Sequence, residues 1–191
     1  MKWLKYLSIA LACVAIVACS RDKEPAEQAL KSATEAVEKA RAEGSKYAGD
    51  QFKALEDQLK AAKDQFDKKE YTQALQAAGG IAAKAQDVLK AAADKKAELT
   101  RAWQEFESAI PQMMEAVKGR LDILSEAKKL PKDIDKDKLA ALKSAFDEAG
   151  KAFDEAKSAA AAGEFAKAIE SGKAIKAKIA EVAAGLGLQQ Q

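Results

Sequence analysis

The 191-residue sequence contains no histidine and only two cysteines, Cys13 and Cys19. Both cysteines lie within or at the end of an apolar segment near the N-terminus, so no disulfide framework is available to the rest of the chain. The absence of histidine removes the commonest general acid or base near neutral pH and the commonest metal ligand. We therefore predict that the protein is not an enzyme, with no catalytic residue, no metal site and no cofactor.

Aromatic residues are also scarce, at 6%, although hydrophobic residues make up 48% of the chain. Much of that fraction is alanine, the strongest helix former. An excess of one charge is lacking as well: without Lys2 and Lys5 of the N-terminal segment, 30 of the 32 basic residues remain, opposite 30 acidic ones. Interleaved, balanced charge gives no footprint for nucleic acid and no basic patch for an anionic bilayer, so we expect neither interaction.

Residues 1–18 have the pattern of a secretory signal peptide. Lys2 and Lys5 form a short basic region, and an apolar run follows from Leu7 to Ala18. The run is shorter than the roughly 20 apolar residues that a transmembrane helix needs. The sequence therefore favours a cleaved leader over a permanent membrane span.

The leader ends in Ile16-Val17-Ala18-Cys19, which resembles the lipobox of bacterial lipoproteins. The resemblance implies that Cys19 receives a diacylglyceryl group, that cleavage falls between Ala18 and Cys19, and that a fatty acid such as palmitate acylates the new amine. In such lipoproteins an Asp after the cysteine retains the protein in the inner membrane, and Ser20 stands here instead. For a Gram-negative source, the resemblance thus implies a lipid anchor in the outer membrane, facing the periplasm; an ordinary signal peptide that contains a cysteine is the alternative.

Beyond a charged tether at residues 19–24, apolar or small residues recur at alternating steps of four and three. This spacing predicts an all-α fold, an elongated helical bundle or coiled-coil-like structure. Glu43-Gly44-Ser45 can end the first helix, and Asp67-Lys68-Lys69-Glu70 can turn the chain. Gly79-Gly80 predicts a kink or a closely approaching helix. Pro111 either starts a new helix or kinks a continuing one.

The pattern occurs twice. Phe52, Leu55, Leu59 and Phe66 match residues 87 positions later, whereas Tyr71, Ala74, Ile81 and Val88 match residues 94 positions later. The seven-residue difference is one heptad and keeps the same face buried. We therefore predict two three-helix units in series, residues 25–109 and 110–186, followed by a disordered tail at 187–191.

The duplicated segment carries a further resemblance. Tyr47-Ala48-Gly49-Asp50, followed after a heptad stretch by Glu70-Tyr71-Thr72-Gln73-Ala74, resembles a family of unknown function found in bacterial envelope lipoproteins. Asp50 replaces the family's Glu, and Lys69-Glu70 replaces its Gly-Asp, while the second copy keeps Gly163-Glu164-Phe165. The resemblance implies an envelope location and helical hairpins, and it implies no activity.

Two groups of residues are candidate sites. Trp103, Phe106, Met113 and Met114 form the richest apolar cluster, which predicts core packing or, alternatively, a partner or ligand surface. The acidic segment 133–137 begins like a calcium-binding loop, but Lys138 stands where that loop needs Gly. Capping of the next helix by Asp135 or Asp137 is therefore favoured.

Together these patterns predict a membrane-tethered, non-enzymatic lipoprotein that acts as a spacer, scaffold or protein-binding module with an envelope protein as partner. The alternative is a periplasmic carrier or chaperone that holds an apolar ligand or an unfolded segment between the units. Heptad seams can be satisfied within one chain or between chains, so a homo-oligomer stays open.

Overall fold

The computed structural model describes residues 22–188, which form helices joined by turns and contain no strand. The prediction of an all-α helical bundle is confirmed. The leader, Ala18 and Cys19 at the predicted cleavage and lipidation site, and the last three residues lie outside the described part of the chain. None of the described helices combines the length and the apolar character needed to cross a membrane.

The first compact unit extends to Lys95. It is built from α1 (Lys23–Tyr47), α2 (Gly49–Asp67), α3 (Tyr71–Gly79) and the start of α4 (Ile81–Glu126). Its core is made of small and aliphatic side chains around a single buried phenylalanine, with Leu30, Val37, Phe52, Leu55 and Ile81 as its larger members. Heptad spacing places these residues on the facing sides of the helices, as the sequence predicted.

Helix α1 does not end at Glu43-Gly44-Ser45, as the sequence suggested, but continues to Tyr47. Gly44 is buried inside it, and a Cβ at this position would lie 2.9 Å from Cγ1 of Val88 and 3.0 Å from Cδ2 of Phe52. The glycine is therefore a packing residue that lets neighbouring side chains approach the backbone, and the helix ends only at Ala48.

The glycine pair at Gly79-Gly80 separates α3 from α4. A Cβ built on either glycine would meet nothing within 4 Å, so close approach of another helix does not explain the pair. The helix is instead interrupted at Gly80, which is compatible with the predicted alternative of a local kink. The third helix of the first unit is consequently divided, with Ala74 and Ala78 buried before the break and Ile81, Ala85 and Val88 buried after it.

The second compact unit begins at Lys96 and contains the rest of α4, α5 (Lys136–Ala161) and α6 (Phe165–Gly185). The sequence suggested a division between residues 109 and 110. The observed division comes earlier because Trp103 and Phe106 pack with the core of this unit. That core also contains Ile110, Phe153 and Ile179.

Pro111 lies inside α4, which continues through it. Proline removes one backbone N–H, and the carbonyl of Glu107, four residues earlier, loses its helical donor. Both residues are exposed, so water can hydrate that carbonyl. This exposed position explains why proline neither starts nor ends a helix here.

The turn between the second and third helical segments is the same in both units. Lys69 and Gly163 adopt left-handed φ values of 65° and 73°. Each donates its N–H to the carbonyl three residues earlier, at 2.9 Å for Lys69 and 2.8 Å for Gly163. The glutamate that follows donates to the carbonyl five residues earlier, at 3.0 Å for Glu70 and 2.8 Å for Glu164. The backbone hydrogen bonds thus repeat as the sequence duplication predicts.

Candidate functional site

The predicted apolar cluster lies on α4 in the second unit, and its four members divide between two faces of the helix. Trp103 is 3% exposed and packs against Phe153 of α5, with ring centroids 6.2 Å apart. Met114 also faces α5, since its Cε lies 3.3 Å from the position of a Cβ on Gly150. These two residues therefore belong to the packed core.

Phe106 and Met113 are seven residues apart and so share a different face of α4, turned toward α6. The ring of Phe106 lies over Gly172, where a Cβ would be 2.8 Å from its Cγ. Both Phe106 and Met113 line an open groove between α4 and α6. The cluster is thus half core and half groove wall.

The groove has a volume of about 870 Å³ and lies entirely within the second unit. Its floor is formed by buried Val117 and Ile179. Besides Phe106 and Met113, four alanines line its walls, namely Ala116, Ala177, Ala180 and Ala183. Because alanine side chains cannot reach across the space between two helices, they leave it open to solvent.

Helices α4 and α6 run parallel along the groove. Phe106 contacts Gly172 near one end, and at the other end Arg120 donates from Nε to the carbonyl of Leu186 at 3.3 Å. The stretch of α4 from Phe106 to Val117 is about 17 Å long at the helical rise of 1.5 Å per residue. The groove is therefore long and narrow, with two distinguishable ends.

The two ends differ in polarity. Lys173 and Lys176 line the end that is level with Phe106. Val117, Ala183 and Leu188 line the opposite end, and Gln112 is the remaining polar residue of the lining. No carboxylate among the lining residues offsets the two ammonium groups. Within the described chain, neither lysine forms an ion pair or hydrogen bond with another residue.

The sequence identified Phe106 and Met113 but missed the alanines and lysines opposite them. Ala116 and Ala177 are exposed, and an exposed alanine carries no signal of its own in a chain so rich in alanine. Lys173 and Lys176 likewise look like ordinary surface residues in a charged sequence. Only the pairing of α4 with α6 brings these residues together.

A second hollow, of about 610 Å³, lies beside the loop that joins α4 to α5. Ile134 is buried under it, and Asp135 caps α5 by accepting the N–H of Lys138 at 2.7 Å. The ammonium group of Lys138 donates to the carbonyl of Asp133 at 2.9 Å. The segment thus serves as a helix cap, as the sequence favoured, and the Lys138 ammonium contacts the backbone carbonyl of Asp133.

Charged groups with displaced pKa values lie on exposed helix faces and not in either hollow. A hydrogen bond from Arg41 lowers the pKa of Glu38, and the same contact raises the pKa of Arg41. Asp64, hydrogen-bonded to Lys60 at 2.9 Å, raises the pKa of that lysine. These are surface ion pairs that stabilise helices weakly. Their pKa shifts come from exposed ion pairing and not from burial in a cleft, as acid–base catalysis would need.

Within residues 22–188, acidic side chains do not come together in a group of three or more that could hold a metal ion. No family model matches the chain, and neither the curated proteins nor the solved structures include one that is significantly similar to it. The resemblance of the duplicated segment to an envelope-lipoprotein family therefore stays a prediction.

Proposed function

We propose that this protein is a lipoprotein of the bacterial cell envelope, anchored through acyl chains on Cys19, whose helical units act outside the cytoplasm as a non-enzymatic spacer, scaffold or protein-binding module. The lipid anchor is supported by the position of Ile16-Val17-Ala18-Cys19 at the end of a short apolar run. Each buried methylene contributes about 0.8 kcal/mol, and two acyl chains are enough for stable anchoring. Ser20 after the cysteine supports the outer membrane, facing the periplasm, as the address.

The scaffold role is supported by how the two cores are filled. Every buried residue in the described part of the chain is apolar or glycine, and no charged or polar side chain is buried. The acidic and basic groups of residues 22–188 consequently lie at least partly in water and not in a desolvated cleft that could support catalysis. Solvated, charged outer faces around apolar seams suit a spacer that presents helices to a partner.

The carrier function is a second candidate because one specific observation favours it. The groove between α4 and α6 has the size of small-molecule sites, about 870 Å³, and its walls are mainly apolar. This groove lies on the second unit alone, so the proposed carrier would hold its ligand there.

The anchor is tested by comparing Cys19→Ala with Cys13→Ala, which removes the other cysteine of the leader. In a Gram-negative host fed a palmitate analogue, we expect the natural chain and Cys13→Ala to take up label and to partition with membranes. Cys19→Ala is expected to lose both properties. Mass spectrometry of the mature N-terminus then reports the modification, and a free thiol on Cys19 would exclude the proposed anchor.

The protein-binding function is tested at Ile123, a large hydrophobic residue of α4 that is 62% exposed. A photo-crosslinking amino acid at this position is expected to give a discrete product with another envelope protein or with a second copy. The matched position is Lys118, which is also exposed on α4. Equal, diffuse products from both positions would argue against a partner at this face.

A further inference from the structure

The groove of the second unit combines three properties that together specify a ligand class. It is about 17 Å long, the side chains that line its far end before Arg120 are apolar, and its near end carries Lys173 and Lys176 with no lining carboxylate. A neutral apolar ligand would leave the paired ammonium groups unused, and a cation would be repelled by them. An unfolded peptide segment would need backbone hydrogen-bond partners, which alanine walls do not offer.

We propose that this groove binds an anionic single-chain lipid, with its alkyl chain along Met113, Val117 and Ala180 and its headgroup between Lys173 and Lys176. The alkyl chain would cover apolar surface that is now in contact with water, which is favourable in proportion to the area covered. The headgroup would place a negative charge beside two flexible ammonium donors at the helix face. This inference rests on the carrier function proposed above and not on the lipid anchor, so a negative result for Cys19 leaves it standing.

The fold explains why such a groove exists on this unit. Gly172 lets the ring of Phe106 close against α6 at the lysine end. Arg120 ties α4 to the carbonyl of Leu186 at the apolar end, where Leu188 also lies. Between these two contacts alanines line the groove above its floor, so the groove is open along its middle and bounded at both ends.

The test uses the chain from Ser20 onward, which keeps all described residues and both cores and needs no detergent. After removal of the leader, the natural methionines are Met113 in the groove and Met114 in the core against α5. Methyl NMR of labelled methionine is recorded during titration with dodecanoate below its micelle-forming concentration. We expect the Met113 signal to move with saturation, while Met114 serves as an internal control and moves little.

Charge specificity is measured with ligands that share the dodecyl chain. Dodecyl maltoside, which is neutral, and dodecyltrimethylammonium, which is cationic, are expected to bind more weakly than dodecanoate. Combining Lys173→Glu with Lys176→Glu should weaken dodecanoate at least about fivefold and strengthen the cationic ligand. Lys178→Glu, an exposed lysine of α6 outside the lining, should leave both affinities nearly unchanged.

The apolar half is tested by Ala177→Leu, which places a larger side chain over the floor of the groove. Because Ala177 is exposed, this change is expected to preserve folding while weakening dodecanoate about tenfold. Ala174→Leu, also exposed on α6 but outside the lining, is the matched control and should bind normally. Circular dichroism checks that all variants keep the helical fold.

Several results would overturn the proposal. These are a Met113 signal that does not respond to dodecanoate, equal affinity for the three headgroups, and charge-reversed lysines without effect. A Met113 shift that follows protein concentration would identify a second copy as the occupant. If deletion of residues 189–191 without added ligand shifts the Met113 signal, the occupant is the chain's own C-terminal end. Either of these two results would contradict the proposal that a lipid is the occupant.

Discussion

The two units share a backbone plan but differ in the size of the side chains that fill it. Ala85 and Ala92 are buried in the first unit, and the residues 94 positions later in the second unit are also buried but larger. These are Ile179 and Leu186. The distance between packed helices depends on the side chains at their contact. Larger seam residues on α6 therefore favour a wider spacing from α4, and the alanines at the outer positions leave the space above them open as the groove.

The hollows reflect this difference. The groove of about 870 Å³ lies on the second unit, whereas a hollow described on the first unit, at the junction of α1 and α2, measures about 400 Å³. The first unit closes over alanine and Gly44, with Val88 and Phe52 in contact with the glycine backbone. Changes at seam and outer positions of a duplicated fold can thus leave one copy closely packed and open a groove on the other.

The largest expected effect comes from the matched phenylalanines of the two units. Phe153 is 7% exposed and contacts Trp103, whereas Phe66, at the corresponding position, is only half-buried and meets Tyr71 edge-on, with centroids 5.1 Å apart. We expect Phe153→Ala to cost about 3–5 kcal/mol of unfolding free energy. Phe66→Ala should cost about 1–2 kcal/mol because less area is lost from the core.

Each unit has its own spectroscopic probe for this measurement. In the chain from Ser20 onward, Trp103 is the remaining tryptophan and reports on the second unit, while Tyr47 and Tyr71 report on the first. Urea unfolding followed by tryptophan fluorescence and by tyrosine circular dichroism separates the two. Equal losses for the two alanine variants would contradict the difference in core packing.

The next effect concerns Gly172, which stands where the first unit has Ala78. Both residues are buried, but a Cβ on Gly172 would lie 2.8 Å from Cγ of Phe106 and 3.1 Å from its Cβ. Those atoms are close to the backbone and cannot swing away. We expect Gly172→Ala to destabilise the second unit by about 1–2 kcal/mol, even though alanine favours helix formation.

Two further variants make this prediction specific. Gly119→Ala on α4 adds a Cβ that meets nothing within 4 Å, so it should stabilise the unit by up to about 1 kcal/mol. In a Phe106→Ala background, Gly172→Ala should lose most of its cost because the clashing ring is gone. Thermal unfolding followed by Trp103 fluorescence measures both, and a cost that persists without the ring would rule out the proposed contact.

How far the sequence predicted this molecule depends on the range of the interaction concerned. Heptad spacing predicted the helices and most core positions, and the Asp67–Glu70 segment predicted the turn, because both are local properties of the chain. Gly44 gives a misleading signal for a helix end, since glycine is a common stop signal and the close approach of Val88 is not visible along the sequence. The observed division between the units lies earlier than the predicted one for a similar reason, because nothing local assigns Trp103 to the second core.

The candidate site was half predictable on the same grounds. Phe106 and Met113 stand out in a sequence with few aromatic and methionine residues. That they line the groove while Trp103 and Met114 belong to the core depends on which neighbouring helix each side chain faces. The lysine end of the groove depends on the pairing of α4 with α6, which no single segment encodes.

Loss of the side-chain cap at the start of a helix is expected to have a smaller effect on stability. Asp135 caps α5 through its side chain, whereas α2 of the first unit follows α1 through Ala48 without a side-chain cap. We expect Asp135→Ala to cost about 1 kcal/mol because a backbone N–H loses its acceptor. Asp137→Ala, in the first turn of the same helix, should cost about 0.5 kcal/mol through the helix dipole alone. Amide exchange at Lys138 measures the local loss, and equal exchange in both variants would argue against the cap.

The smallest expected effect is in the shared turn, where the backbone is the same and the residue differs. Lys69 holds a left-handed φ of 65°, a conformation that costs a residue with a Cβ about 1 kcal/mol, whereas Gly163 adopts it freely. Lys69→Gly should therefore stabilise the first unit by about 0.5 kcal/mol, since part of the gain is offset by the freer unfolded chain. Lys68→Gly is the control, because Lys68 has an ordinary φ of −75° and glycine there should destabilise. Tyrosine circular dichroism during urea unfolding measures both variants. If both behave alike, the left-handed strain at Lys69 contributes nothing, and the lysine in this turn costs the first unit no stability relative to glycine.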